Sequence, residues 1–184
     1  MTVYTTAPDD LLSRAKEEQN VYHRLDGLHI PYQRVDHPPA DTMAQCDAAG
    51  EALHVRICKN LFLCNRQKTS YYLLMMPGDK PFRTKQLSAQ IGSARLSFAS
   101  PEDMQRLLGV MPGSVSVLGL MNDTDGAVRL LVDDDLLRDE WIGCHPCRNT
   151  SSLRLSAQAL WDVFVPDTGH TVTPVHLTAE ESVL

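Results

Sequence analysis

Apolar residues at helical spacing, Leu11, Ala15, Tyr22 and Leu25, draw one stripe along a first helix expected over about residues 9–28, with Gly27 and Pro31 bracketing its end. Tyr32 to Asp36 reads as a short strand, followed by the His37-Pro38-Pro39 break. Thr42-Met43-Ala44-Gln45 has the form of a capping box, so a short helix is expected to start there. Val55 to Cys64 and Tyr71 to Met76 read as two strands around the polar Asn65-Arg66-Gln67-Lys68 connection, which predicts a hairpin. Thr84 to Ile91 predicts a helix stopped by Gly92. Ser100-Pro101-Glu102-Asp103 opens another, with an N-cap, a proline at the first helical position and acids in the first turn.

Val115 to Leu120, Ala127 to Val132, Trp141 to Gly143 and Thr150 to Leu155 are further strand candidates, with Asp123 to Gly126 as a turn between the first two. Ser156 caps a last helix through about Phe164, closed by Pro166 and Gly169. Strands and helices do not alternate strictly. The expectation is therefore a mixed α/β fold, one domain over residues 1–184, with helices around a single curved, barrel-like sheet.

One residue breaks the apolar pattern. From Val55 to Leu63 the odd positions are Val55, Ile57, Lys59, Leu61 and Leu63, so in a regular strand Lys59 shares a face with four aliphatic side chains. A lysine there either runs its stem along the core with its ammonium in water, or waits in a pocket for an anion or dipole.

Composition narrows the class. With 184 residues, 43% hydrophobic and 22% charged, the chain is long enough for a core without disulfides. It has no apolar run of membrane length, and its polar N-terminus lacks the plan of a secretory signal, so a cytoplasmic location is expected. Five scattered cysteines suit reduced thiols rather than a disulfide framework. A net charge of −6 argues against broad nonspecific nucleic-acid binding, though not against a local basic rim. Candidate cations for such a rim are Arg83, Lys85, Arg95, Arg148 and Arg154, with Lys68 and Lys80 more distant. Few aromatics interleave with them, so no stacking platform is expected.

Three glycine- and serine-bearing stretches adjoin apolar runs: Gly92 to Ser100, Gly113 to Leu120 and Gly143 to Thr150. Cys144-His145-Pro146-Cys147 holds a C-x-x-C, yet Cys58 and Cys64 are not spaced as a second knuckle, so buried thiols are expected rather than zinc. Asp133-Asp134-Asp135 reads as a cap for the turn at Leu136 rather than an ion site. No metal or cofactor is expected.

Taken in order, Lys59-Asn60-Leu61-Phe62-Leu63, Leu96-Ser97-Phe98-Ala99, Gly113-Ser114-Val115, Asn122-Asp123, Asp133 to Leu137, and His145-Pro146 with Asn149-Thr150 resemble the aminoacyl-tRNA editing superfamily of YbaK and the prolyl-tRNA synthetase insertion domain. Within it, the ProX type is the most similar. The resemblance runs from about Val21 to Leu177. It implies an aminoacyl-tRNA deacylase that removes alanine from tRNA specific for proline, with the acceptor end of the tRNA as ligand and prolyl-tRNA synthetase as a candidate partner. It implies catalytic roles for Lys59, Asn60 and His145, and substrate contacts from Gly113, Ser114, Val115, Phe98 and Asn149. The rival reading is a noncatalytic module of the same fold that docks a tRNA or a synthetase. A desolvated amine beside a histidine favours the enzyme.

Overall fold

The computed structural model describes residues 1–40 and 42–178; the end of the expected domain lies outside the described residues. Helix α1 (Lys16–Gly27), preceded by a short 3-10 turn at Leu11–Ser13, buries Val21, Tyr22 and Leu25. Strand β1 (Tyr32–Asp36) follows. Helix α2 (Met43–Leu53) opens on the expected capping box: the Thr42 hydroxyl accepts from the Gln45 amide, and the Gln45 side chain accepts from the Thr42 amide. Strands β2 (Cys58–Asn65) and β3 (Tyr71–Pro77) form the expected antiparallel hairpin. Next come α3 (Thr84–Ile91), the short β4 (Leu96–Phe98) and α4 (Pro101–Leu108), the last capped by the Ser100 hydroxyl as expected.

Strands β5 (Val128–Asp133), β6 (Trp141–Cys144) and β7 (Ser151–Ser156) lie within a residue of their expected bounds. The closing helix, α5 (Ala157–Ala159) and α6 (Val165–Asp167) joined by a π turn at Leu160–Phe164, leads to β8 (Val172–Val175).

The mixed α/β class holds, but among the described residues the strands fall into two sheets with no closed barrel. One sheet has the order β1-β7-β6 and is antiparallel throughout; the other has the order β4-β2-β3-β5-β8, with β3, β5 and β8 parallel. The larger sheet is covered on both sides. Leu73, Met75, Leu130 and Val132 face the main core with α1 and α4, while Leu63, Leu74, Met76 and Leu131 face a second cluster with Leu87 of α3. That two-sided burial turns β3 into a continuous apolar run.

The strand expected at Val115 to Leu120 is instead a 3-10 turn, Val117–Asn122. The Ser116 hydroxyl caps the Leu118 amide, and Gly119 lies so close to α4 that a Cβ there would meet the Leu108 carbonyl at 2.9 Å. A short, fully apolar run carries no periodicity to separate a strand from a buried turn.

The two sheets share the main core and are joined by one backbone bridge among the described residues. Ile57 and Gly143 form an isolated parallel bridge, and a Cβ on Gly143 would lie 2.8 Å from both the Arg56 carbonyl and Ile57 Cδ1. Only glycine lets β6 come this close to the approach to β2. Lys59 and His145 each lie two residues beyond that bridge on their own segments.

Candidate active site

Of the aliphatic neighbours expected for Lys59, Leu61 and Leu63 share its face of β2, whereas Val55 and Ile57 precede the strand and pack in separate clusters. The Lys59 ammonium, half-buried at the start of β2, donates to the Lys80 carbonyl at 3.0 Å. Two of its three protons remain available.

Lys80 is itself pinned. Its ammonium lies 2.8 Å and 3.0 Å from the two Asp133 carboxylate oxygens, 2.7 Å from Asp135 and 2.9 Å from the Leu177 carbonyl. Burial opposes that ammonium, but its bonds to Asp133 and Asp135 prevail and raise its pKa. The acid run at Asp133-Asp134-Asp135 thus serves a lysine, and Asp133 also caps the Asp135 amide.

His145 is buried, and its protonation pattern follows from its neighbours. Nδ1 lies 2.9 Å from the Ser151 carbonyl, which can only accept, so Nδ1 carries the proton and Nε2 a lone pair. His37 Nδ1 donates to the Pro38 carbonyl at 2.8 Å, and its Nε2 lies 2.9 Å from the Ser152 hydroxyl. Burial lowers the His145 pKa, the Ser151 bond opposes this, and His37 adds to the lowering. The ring is therefore neutral at physiological pH. Its Nε2 faces Cys46 Sγ at 3.8 Å, and burial together with Asp47 keeps that thiol protonated.

These groups converge on a cavity of about 230 Å³ lined by Ala40, Thr42, Met43, Cys46, Cys58, Lys59, Asn60, Gly113, Val115 and His145. Asn60 brings an unusual feature: its amide nitrogen donates to the Cys58 carbonyl at 3.4 Å, while its Oδ1 is buried without a partner. An orphaned buried acceptor costs ~1–3 kcal/mol, which a donor arriving with a ligand recovers. A larger surface depression of about 520 Å³ beside α1, bearing His23 and Arg24, has no such orphaned atom.

Five of the expected site residues thus share one cavity: Lys59, Asn60, Gly113, Val115 and His145. Ser114 is buried behind them, its amide spent on the Met111 carbonyl at 3.0 Å. Asn149 contributes through its backbone, accepting from the Ala40 amide at 2.9 Å and so holding one cavity wall. Phe98 stands outside, on the edge strand β4, 61% exposed. Sequence reasoning missed Ala40, Met43 and Cys46. The capping box located α2 but said nothing of which sheet its first turn would face.

Cys144 and Cys147 are fully buried free thiols, both pushed upward by desolvation; Cys58, equally buried, is raised to about 12. None is a thiolate at neutral pH.

A model of the aminoacyl-tRNA editing domain matches residues 37–163, which span α2, β2 and the His145 segment. This chain belongs to the aminoacyl-tRNA editing family. Among its relatives, the prolyl-tRNA editing protein ProX of Acetoanaerobium sticklandii is 31% identical over 87% of this chain and 97% of its own length. The prolyl-tRNA synthetase associated domain-containing protein 1 of Mus musculus is 32% identical over 85% of this chain and 92% of its own. A crystal structure described as a candidate trans-editing enzyme for prolyl tRNA synthetase shares the fold, with a TM-score of 0.66 at 19% identity over 90% of this chain and 99% of that one. Among the described residues no helix is long and apolar enough to cross a membrane.

Proposed function

We propose that this editing-family chain is a trans-acting aminoacyl-tRNA deacylase that hydrolyses the ester of mischarged tRNA, with alanyl-tRNA(Pro) as its substrate. The observation that carries the reading is that Lys59, Asn60 and His145 line one cavity of about 230 Å³, with the His145 Nε2 lone pair facing Cys46 of the same lining. The relatives' names point to the same tRNA.

Ester hydrolysis needs a positioned water and stabilisation of the developing oxyanion. Lys59 directs its two remaining protons at the ester oxygen, anchored at the third by Lys80. His145 Nε2 exchanges the Cys46 thiol for the attacking water and receives its hydrogen bond, while the 2′-hydroxyl of the terminal ribose orients that water from the other side. Asn60 Oδ1 accepts from the α-ammonium of the amino acid. Cleavage breaks the acyl–oxygen bond, and the proton released by water passes to the departing ribose oxygen.

In this reading Ala40, Met43, Cys46 and Val115, the apolar part of the lining, face the acyl side chain and select a methyl group over a pyrrolidine ring. Steric exclusion of the larger substrate discriminates better than one lost methylene, worth ~1–3 kcal/mol. The test is to incubate the protein with Ala-tRNA(Pro), Pro-tRNA(Pro), Ala-tRNA(Ala) and Ser-tRNA. Loss of the first alone is expected, and no loss of any would overturn the reading in favour of a docking module.

A further inference from the structure

Phe98 and Phe82 lie 16 positions apart in sequence, yet their rings meet edge to face with centroids 6.1 Å apart. Phe82 is half-buried against the second cluster, beside Leu61, while Phe98 is 61% exposed. Phe98 pairs with Leu63, and residues directly opposite on antiparallel strands point to the same side. Phe98 therefore shares a face with Leu63, Leu61 and Lys59, about 13 Å from Lys59 at ~3.3 Å per residue along β2. Phe82 lies two residues after Lys80, whose carbonyl holds the Lys59 ammonium. Lys59 and Phe98 thus lie at the two ends of one sheet face, with Leu61 half-buried and Leu63 buried between them.

The charge around this face opposes that of the whole protein. From Pro81 to Ser100 there is no acidic residue and there are three cations, Arg83, Lys85 and Arg95, in a chain of net charge −6. Lys85 and Arg95 are exposed and form no ion pair among the described residues. An exposed aromatic in an acid-free segment that carries exposed cations, on the same sheet face as the lysine of a site for an RNA terminus, suits unpaired nucleotides, whose bases stack on the ring and whose phosphates meet the charges.

We propose that Phe98, braced by Phe82, is a stacking platform for a single-stranded base just upstream of the RNA 3′ terminus, with Lys85 and Arg95 neutralising its phosphates. The inference rests on the reading that the terminal nucleotide enters the Lys59 cavity. Phe98 is then a positioning residue, holding the strand so that the ester reaches Lys59.

The experiment measures, by fluorescence anisotropy, binding of an uncharged RNA hairpin with an unpaired 3′ tail and of the same hairpin without it. Phe98→Ala should weaken binding of the tailed hairpin about 5- to 150-fold, the value of one stacked base. Phe98→Trp should retain it, and all three proteins should bind the blunt hairpin alike. Phe98 is too exposed for its truncation to unfold the chain, and thermal melting of each variant checks this. Equal binding of the tailed hairpin by wild type and Phe98→Ala, an equal loss on both hairpins, or no wild-type binding of the tailed hairpin would overturn the proposal. So would conversion of a dimer to a monomer by Phe98→Ala, which would make this face a contact between copies. Deacylation of the charged hairpin by the wild type is scored separately, so failure of the enzyme reading is distinct from failure of the platform.

Discussion

The ammonium of Lys59 rests on the backbone carbonyl of Lys80 at 3.0 Å, and Lys80 in turn is clamped by Asp133 and Asp135. A long, flexible amine is thereby given a fixed address without a charged partner of its own. Its ammonium pairs with no acid among the described residues, and Lys59 lines the cavity in which an oxyanion would need stabilisation.

Replacing that amine should separate activity from folding. Lys59→Ala is expected to lower kcat for alanyl-tRNA(Pro) by about 10²–10³, the usual value of one oxyanion donor. The melting temperature should change little, because Lys59 is half-buried and, among the described residues, the hydrogen bond of its ammonium is to a backbone carbonyl. Single-turnover deacylation beside a thermal melt provides both readings; wild-type turnover in the variant would remove Lys59 from the mechanism.

Asp133→Ala should lower stability and activity together. Its carboxylate is fully buried against Lys80, and removing one partner of such a pair costs about 3–5 kcal/mol. Urea unfolding should show that loss, and residual activity should fall as well, since the Lys80 carbonyl no longer holds Lys59 in place.

His145 sets the acid limit. Its folded pKa is depressed below the ordinary imidazole value of about 6.5, chiefly by burial. The unfolded chain therefore binds the proton first as pH falls below 6.5, and stability declines from there down through the folded pKa. Above 6.5 both states are neutral and the contribution is constant. The acid limb of kcat/KM should accordingly lie below pH 6.5 and disappear in His145→Gln, whose urea midpoint should also vary less between pH 6.5 and 5.

Cys46 tests the size filter. Cys46→Leu places extra bulk in the cavity and should lower kcat/KM for the alanyl ester by ~10-fold or more while costing ~1–3 kcal/mol of stability. Cys46→Ala should widen the acceptable side chain, seen as increased hydrolysis of the seryl ester relative to the alanyl one.

Local chemistry made much of this legible in the sequence. The capping box at Thr42, the Ser100-Pro101 start and the hairpin around Asn65 to Lys68 are short-range signals, and each lies where its residues place it. The odd-position parity of Lys59 with Leu61 and Leu63 also holds. What escaped was set by distant partners. The run at Val117 to Leu120 is a buried turn because of its fit against α4, and Cys46 meets His145 across 99 positions. Phe82 and Phe98 form a pair that no window of sequence contains.

The single bridge between Ile57 and Gly143 has a last consequence. Lys59 belongs to one sheet and His145 continues from the other, so the pair lines one cavity only while the two sheets stay in register at the bridge. A small shift there would part the two residues while each sheet keeps its own hydrogen bonds. Hydrolysis then works as a coincidence detector for the seam: under denaturant, or with a methyl group added at Gly143, turnover is lost while the spectroscopic signal of both sheets persists.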